Sequence, residues 1–243
     1  MNFCGKTDVG KRRANNQDSY SISRLPDGVM LLTVCDGMGG ANGGNIASDI
    51  ACRVFGEEIA SRWGSDGATS EELLRHAVSQ ANRAVYEASI ADEALKGMGT
   101  TLVSALVFPD GSVTALNIGD SRLYLIENGE LRQISRDHSY VQYLVDMGQI
   151  TIEEAKKATI RNIIIRSVGN EAEANPDVFA LNTEPGSHLL LCTDGLTNLV
   201  SGEEILATIQ ALGADPEACA SRLVELANEA GGFDNITVIV GSI

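Results

Sequence analysis

The 243-residue chain carries 18 Lys and Arg against 33 Asp and Glu, a formal charge of −15, with 44% hydrophobic and 21% charged residues. Those proportions exclude a disordered acidic tail, and the length suits one large domain spanning 1–243 with a sizeable core. The negative surplus argues against nonspecific binding to nucleic acid or anionic membrane, because phosphate would be repelled, and leaves open whether the acid is spread out or gathered at one site.

Residues 28–35 form an apolar, β-rich run that predicts a buried strand, stopped by Asp36-Gly37. Two amphipathic helices follow. One lies near 43–62, with Ile46, Ile50, Val54 and Ile59 at helical spacing; the other starts at Ser70 as N-cap, with Leu73, Leu74, Ala77, Val78, Ala81 and Val85 on one face. Residues 100–135 read as an antiparallel meander of strands, 100–108, 112–118, 121–126 and 131–134, split by short turns. A helix at 139–147 and a capping box at Thr151–Glu154 come next, then a buried strand at 188–192. Ser201 and Asp215-Pro216 open two more helices, and 236–240 is the last strand. Strands and helices in blocks favour an α+β protein with antiparallel sheets covered by helix pairs.

The five cysteines (Cys4, Cys35, Cys52, Cys192, Cys219) are odd in number and form no C-x-x-C pair. They read as free thiols in a reducing compartment. The N-terminus lacks a signal-peptide stretch and no run approaches the roughly 18 apolar residues of a membrane span. The expectation is a cytoplasmic protein.

Four aspartates share one context: Asp36 and Asp194 after apolar strands and before glycines, Asp120 after Gly119 at a strand junction, and Asp234 just before the last strand. Asp-Gly is also ordinary turn chemistry. Their shared position at strand ends nevertheless predicts carboxylates gathered at one sheet rim. Such a cluster requires a cation, and all-oxygen ligation suits Mg²⁺ or Mn²⁺. The three histidines and the cysteines show no zinc-ligand spacing.

Seven segments, in order from about residue 5 to 240, resemble the motifs of the PPM (type 2C) metal-dependent protein phosphatases. They are Asp8–Asp18, Asp36–Gly40, Gly97–Thr101, Asn117–Arg122, Asp137–Ser139, Thr193–Leu196 and Asp234–Thr237. The resemblance implies a four-layer α-β-β-α sandwich with a small flap near 139–168. It also implies a phosphoserine/phosphothreonine hydrolase using two Mn²⁺ or Mg²⁺ ions in a core site, acting by in-line attack of a metal-bridging hydroxide. By motif position, Asp36 bridges two ions and the Gly37 carbonyl reaches the second. Asp194 and Asp234 ligate the first ion, Asp120 with Asp194 matches a third metal site, and Asp18 holds metal-bound waters. Arg13 matches the phosphate-binding arginine, whose planar fork suits a phosphate. Phosphoproteins, Ser/Thr kinases among them, are the implied substrates of a stand-alone bacterial monomer.

The chain departs from the family pattern at three places. Gln17 replaces a common Glu, and Ala158-Thr159 replaces a His-Pro in the flap. Met38 stands where animal members carry a histidine proposed as general acid, and Met donates no proton. His138 reads as a satisfied loop or core histidine. The glycine-rich stretches fail G-x-G-x-x-G and the P-loop pattern. Two other readings stay open: a regulatory module that binds metal without turnover, and a two-metal phosphodiesterase, which lacks a basic track for its substrate.

Overall fold

The structure, a computed structural model, describes residues 1–64 and 67–243. The side chains of 40–42, where the Asp36–Gly40 motif runs into a helix, and of 156 and 157 lie outside the described residues. Two antiparallel sheets form its centre. The first has the order β1 (Asn2–Asp8), β11 (Ile236–Ser242), β10 (His188–Cys192), β7 (Arg122–Glu127), β8 (Glu130–Gln133). The second runs β2 (Asp18–Arg24), β3 (Met30–Met38), β5 (Leu102–Val107), β6 (Ser112–Ile118), β9 (Asp177–Asn182), with β4 (Gly99–Thr100) pairing the end of β3.

Alternation along the strands decides the layers, because successive side chains point to opposite faces. On β3, Leu32 and Val34 turn towards the other sheet and meet Leu189, Leu191 and Ile239 in a dry inter-sheet core. Leu31 and Cys35 turn the other way, onto Phe55 and Ile59 of α1 (Gly40–Arg62) and Leu74, Val78 and Val85 of α2 (Ser70–Ala91). On β10, Leu190 and Cys192 pack against Ile205 and Ile209 of α6 (Gly202–Leu212) and Leu223 and Val224 of α7 (Pro216–Glu229). Three apolar layers between four layers of structure give the expected α-β-β-α sandwich. Two short helices, α3 (Tyr140–Asp146) and α4 (Ile152–Lys157), lie in the segment expected to be the flap, and α5 (Asp194–Thr197) follows β10.

Capping residues end the helices largely as the sequence suggests. Thr151 and Ser201 form capping boxes with Glu154 and Glu204. For α2 the cap is Thr69, one residue before the expected Ser70, because Thr69 exchanges hydrogen bonds with Glu72.

Three strands are added and two expectations corrected. Strands β1, β2 and β9 had no apolar signature; each is a sheet edge, half-exposed and polar on much of its length. Strand β3 does not stop at Asp36 but continues to Met38, since Gly37 and Met38 pair with Thr100 and Gly99. The 100–135 meander is broken in the middle. β6 pairs with β5 and β9, whereas β7 pairs with β8 and β10, so the Gly119–Ser121 junction carries the chain from one sheet to the other. A tight hairpin would have kept the strands adjacent. Gly119, at φ +110°, permits the corner, and this corner places Asp120 at the sandwich end.

Leu32→Ala should lower unfolding free energy by about 3 kcal/mol through a cavity between the sheets, read as a drop in urea midpoint with unchanged slope.

Candidate metal centre and active site

A cleft of about 490 Å³ opens at one end of the sandwich, lined by Arg13, Asp36, Gly37, Asp120, Asp194 and Asp234 together with Gln17, Met38, Gly39, Asn162, Ile164 and Asn235. Six of the seven residues singled out from the sequence therefore face one space. The seventh, Asp18, lies next to them in the buried layer, 9% exposed, directly opposite Asp36 in the β2–β3 register.

Both sheets contribute acids, and local hydrogen bonds hold Asp36, Asp194 and Asp234 in place. The Asp36 peptide is pinned on both sides: its N–H donates to Thr101 Oγ1 (2.9 Å), and its carbonyl accepts from Thr100 Oγ1 (2.8 Å) and Thr101 N (2.9 Å). Gly37 is obligatory, because a Cβ would collide with the Gly44 and Gln17 carbonyl oxygens. Asp194 begins α5 and accepts from Asn198 Nδ2 (2.9 Å). Asp234 accepts from the Asn235 N–H (2.9 Å), and Asn235 reaches across to the Val9 and Asn15 carbonyls, tying the last strand to the N-terminal loop.

Asp18 Oδ2 accepts from Thr237 Oγ1 (2.6 Å) and Thr193 Oγ1 (3.0 Å), while its Oδ1 is buried without a partner. A buried carboxylate oxygen left without a donor is costly unless water or an ion meets it.

The electrostatics point the same way. Burial, then repulsion from Asp18, Asp194, Asp120 and Asp234, holds Asp36 well above the usual carboxylate range. Burial, against the Thr237 and Thr193 hydrogen bonds, pushes Asp18 up to about 7. Burial and Asp194 push Asp120 to about 8, and burial and Asp234 push Asp194 to about 6. Among the described residues no three acid, imidazole or thiol groups form a ready-made ion cage. Uncompensated like charges settle on separate donors rather than on one another. The donor set nevertheless fits a hard divalent cation: it is all oxygen, mutually repelling, and leaves Asp18 Oδ1 open.

Arg13 does not project freely into the cleft. Its Nη2 donates to Asp234 Oδ2 at 2.8 Å with the guanidinium half-exposed, so the expected phosphate-binding group here neutralises an expected metal ligand. His138 is 5% exposed with both ring nitrogens engaged, as its reading as a satisfied histidine anticipates. The sequence reading did not mark Thr193, Thr237, Asn198 or Asn235 as supports. Each is an ordinary polar residue whose role depends on contacts across 4 to 226 positions of chain; Thr193, Asn235 and Thr237 at least lie inside the Thr193–Leu196 and Asp234–Thr237 motifs, whereas Asn198 carries no such signal.

A two-sheet sandwich between helix pairs, with an oxygen-only acidic cleft at one rim, is the architecture of the metal-dependent protein phosphatases. The family model described as protein phosphatase 2C matches residues 7–226. The protein phosphatase PhpP of Streptococcus pneumoniae is 39% identical over 98% of this chain and 95% of its own length. The serine/threonine phosphatase PstP/Ppp of Mycobacterium tuberculosis superposes with a TM-score of 0.90 at 36% identity, covering 100% of this chain and 98% of that one. The PstP catalytic domain in complex with two manganese ions has a TM-score of 0.86 at 36% identity, with 98% and 96% covered. The chain belongs to the protein phosphatase 2C family.

Between the ordinary carboxylate pKa near 4 and the raised values of Asp194, Asp18 and Asp120, the folded metal-free chain binds more protons than the unfolded chain. Its stability should therefore fall as pH rises from about 4 to 8, and Asp36→Asn should raise the melting temperature of the metal-free protein at pH 8. Thermal melts in EDTA test both; a metal-free Asp36→Asn protein that melts lower than wild type would show that repulsion does not dominate the cluster.

Proposed function

We propose that the chain is a single catalytic domain that hydrolyses phosphoserine and phosphothreonine in proteins. The observation that carries this is the convergence of Asp36, Asp120, Asp194 and Asp234 with Arg13 on one cleft. Two Mn²⁺ or Mg²⁺ ions, and a third at Asp120, when bound would supply the water activation and charge neutralisation that phosphate-ester hydrolysis needs.

The chain's own residues divide the remaining tasks. Asp36 with the Gly37 carbonyl, Asp194 and Asp234 would hold the core ions, and Asp120 with Asp194 would hold the third. Asp18, its Oδ2 held by Thr193 and Thr237, keeps an unpartnered Oδ1 beside the cleft, where it would accept from water held by the ions. Arg13, which rests on Asp234 at the edge of the cleft, would offer its planar fork to the substrate phosphate. Asn162 and Ile164, in the segment read as the flap, close the cleft on the far side. Met38 lines the cleft and donates no proton, so the leaving oxygen would take its proton from metal-bound water or from the substrate's surroundings.

The acidic exterior supports protein substrates over nucleic acid, and an opposing relation to Ser/Thr kinases follows from the reaction itself. The five free cysteines support a cytoplasmic location. No helix among the described residues is long and apolar enough to cross a membrane. We take the working form to be a monomer acting away from the membrane.

Turnover of p-nitrophenyl phosphate and a phosphothreonine peptide should require Mn²⁺ or Mg²⁺, stop in EDTA, and fall to background in Asp194→Ala. Activity surviving both treatments would sink the metal mechanism; metal binding without turnover would favour a regulatory module. Arg13→Ala should lower kcat/KM for the peptide about 10- to 100-fold, mostly through KM, while core-ion affinity measured by calorimetry changes little.

A further inference from the structure

His138 lies outside the cleft and reaches the corner that carries Asp120 through both its main chain and its ring. The His138 N–H donates to the Gly119 carbonyl (2.9 Å), which also accepts from Asn117 Nδ2 (3.2 Å). The Gly119 N–H donates to His138 Nδ1 (3.2 Å). Both peptide units flanking Gly119 are thus held by one residue, and the second of them is the peptide on which Asp120 is mounted. The His138 carbonyl accepts from the Ile165 N–H (2.8 Å), next to the cleft-lining Ile164.

The ring's protonation follows from these partners. A backbone N–H pointing at Nδ1 requires a lone pair there, which excludes both the Nδ1–H tautomer and the imidazolium. The proton of the neutral ring is therefore on Nε2, which lies 3.1 Å from Asp177 Oδ2 on β9. Arg166 Nη1 donates to the other oxygen of that carboxylate (3.2 Å to Oδ1) and lies farther from Nε2 itself, at 3.4 Å, so Asp177 is the nearer partner of the ring. Burial, against the pull of Asp177, holds the His138 pKa below the ordinary histidine value, in keeping with a neutral ring. The Asp177–His138–Gly119 chain resembles the arrangement in which a carboxylate orients a histidine beside a metal, except that here the ring aims a peptide instead of an ion.

We propose that His138 is the positioning residue for Asp120: by gripping both peptides of the Gly119 corner and the Ile165 amide, it fixes the aim of that carboxylate and ties it to the return of the flap. This rests on the reading of Asp120 as an ion ligand. Two substitutions divide the ring's functions. In His138→Asn the side-chain Oδ1 falls where Nδ1 stood and still accepts from Gly119. In His138→Gln the amide reaches towards Asp177 and leaves Gly119 without its acceptor.

Mn²⁺ calorimetry on the full chain, with melting temperatures measured in parallel, tests the proposal on wild type, both His138 variants and Asp120→Asn. Wild type should show a weaker class of Mn²⁺ site that Asp120→Asn removes. His138→Gln should weaken that class about 10-fold and leave the tighter class unchanged, whereas His138→Asn should keep it near wild type. Long-range ¹H–¹⁵N spectra should show His138 protonated on Nε2. The positioning role is overturned if both His138 variants bind Mn²⁺ as wild type does. It is equally overturned if both lose every class of site together with thermal stability, or if Nδ1 carries the proton. An Asp120→Asn isotherm identical to wild type would instead overturn the ligand reading beneath it.

Discussion

Five carboxylates are held close together at one rim of a protein already carrying a charge of −15, and the rest of the structure accommodates that repulsion. Burial and like charge both oppose ionisation, which is why Asp36, Asp18, Asp120 and Asp194 all sit above the ordinary carboxylate range. The cluster persists because its backbones are fixed by bonds that do not depend on its charge. Thr100 and Thr101 hold Asp36, the Asn198 N–H holds the Asp194 carbonyl, and Asn235 ties the segment beside Asp234 to the N-terminal loop. Without cations, Arg13 offsets part of the repulsion by pairing with Asp234.

The two-sheet architecture suits this arrangement. Asp18 and Asp36 come from adjacent strands of one sheet, Asp194 and Asp234 from strand ends of the other, and Asp120 from the corner joining them. Three separate apolar layers stabilise the sheets against each other and against their helices, so the rim can carry strain that a smaller core could not hold. The stabilising groups lie away from the cleft, whereas the groups in it destabilise the metal-free fold. That division is common where a site is built to bind charge.

Much of the fold was legible wherever burial leaves a periodic trace. The central strands near 30–35, 102–107, 112–118 and 188–192 are apolar runs, and the helix starts at Thr151, Ser201 and Asp215 carry their caps in the sequence. The edge strands β1, β2 and β9 left no such trace, because an edge buries only part of one face and tolerates polar residues. The sheet-switching corner at Gly119 was misread for a different reason: a glycine-aspartate junction between two strands looks the same locally whether the strands pair or part.

The sequence by itself determined which residues could carry the chemistry: aspartates beside glycines at strand ends, in the motif order of a metal-dependent phosphatase family, with Arg13 near the start. Their shared place at strand ends also gave the expectation of acids gathered at one sheet rim. Tertiary structure alone decided that those acids share one cleft, that Asp18 keeps an open oxygen beside it, that Arg13 rests on Asp234, and that His138 holds the Asp120 corner. The reason is physical. A local pattern fixes a residue's type and its side of a strand, but repulsion, hydrogen-bond satisfaction and aim depend on partners up to 226 positions away, which meet only once the sheets have packed.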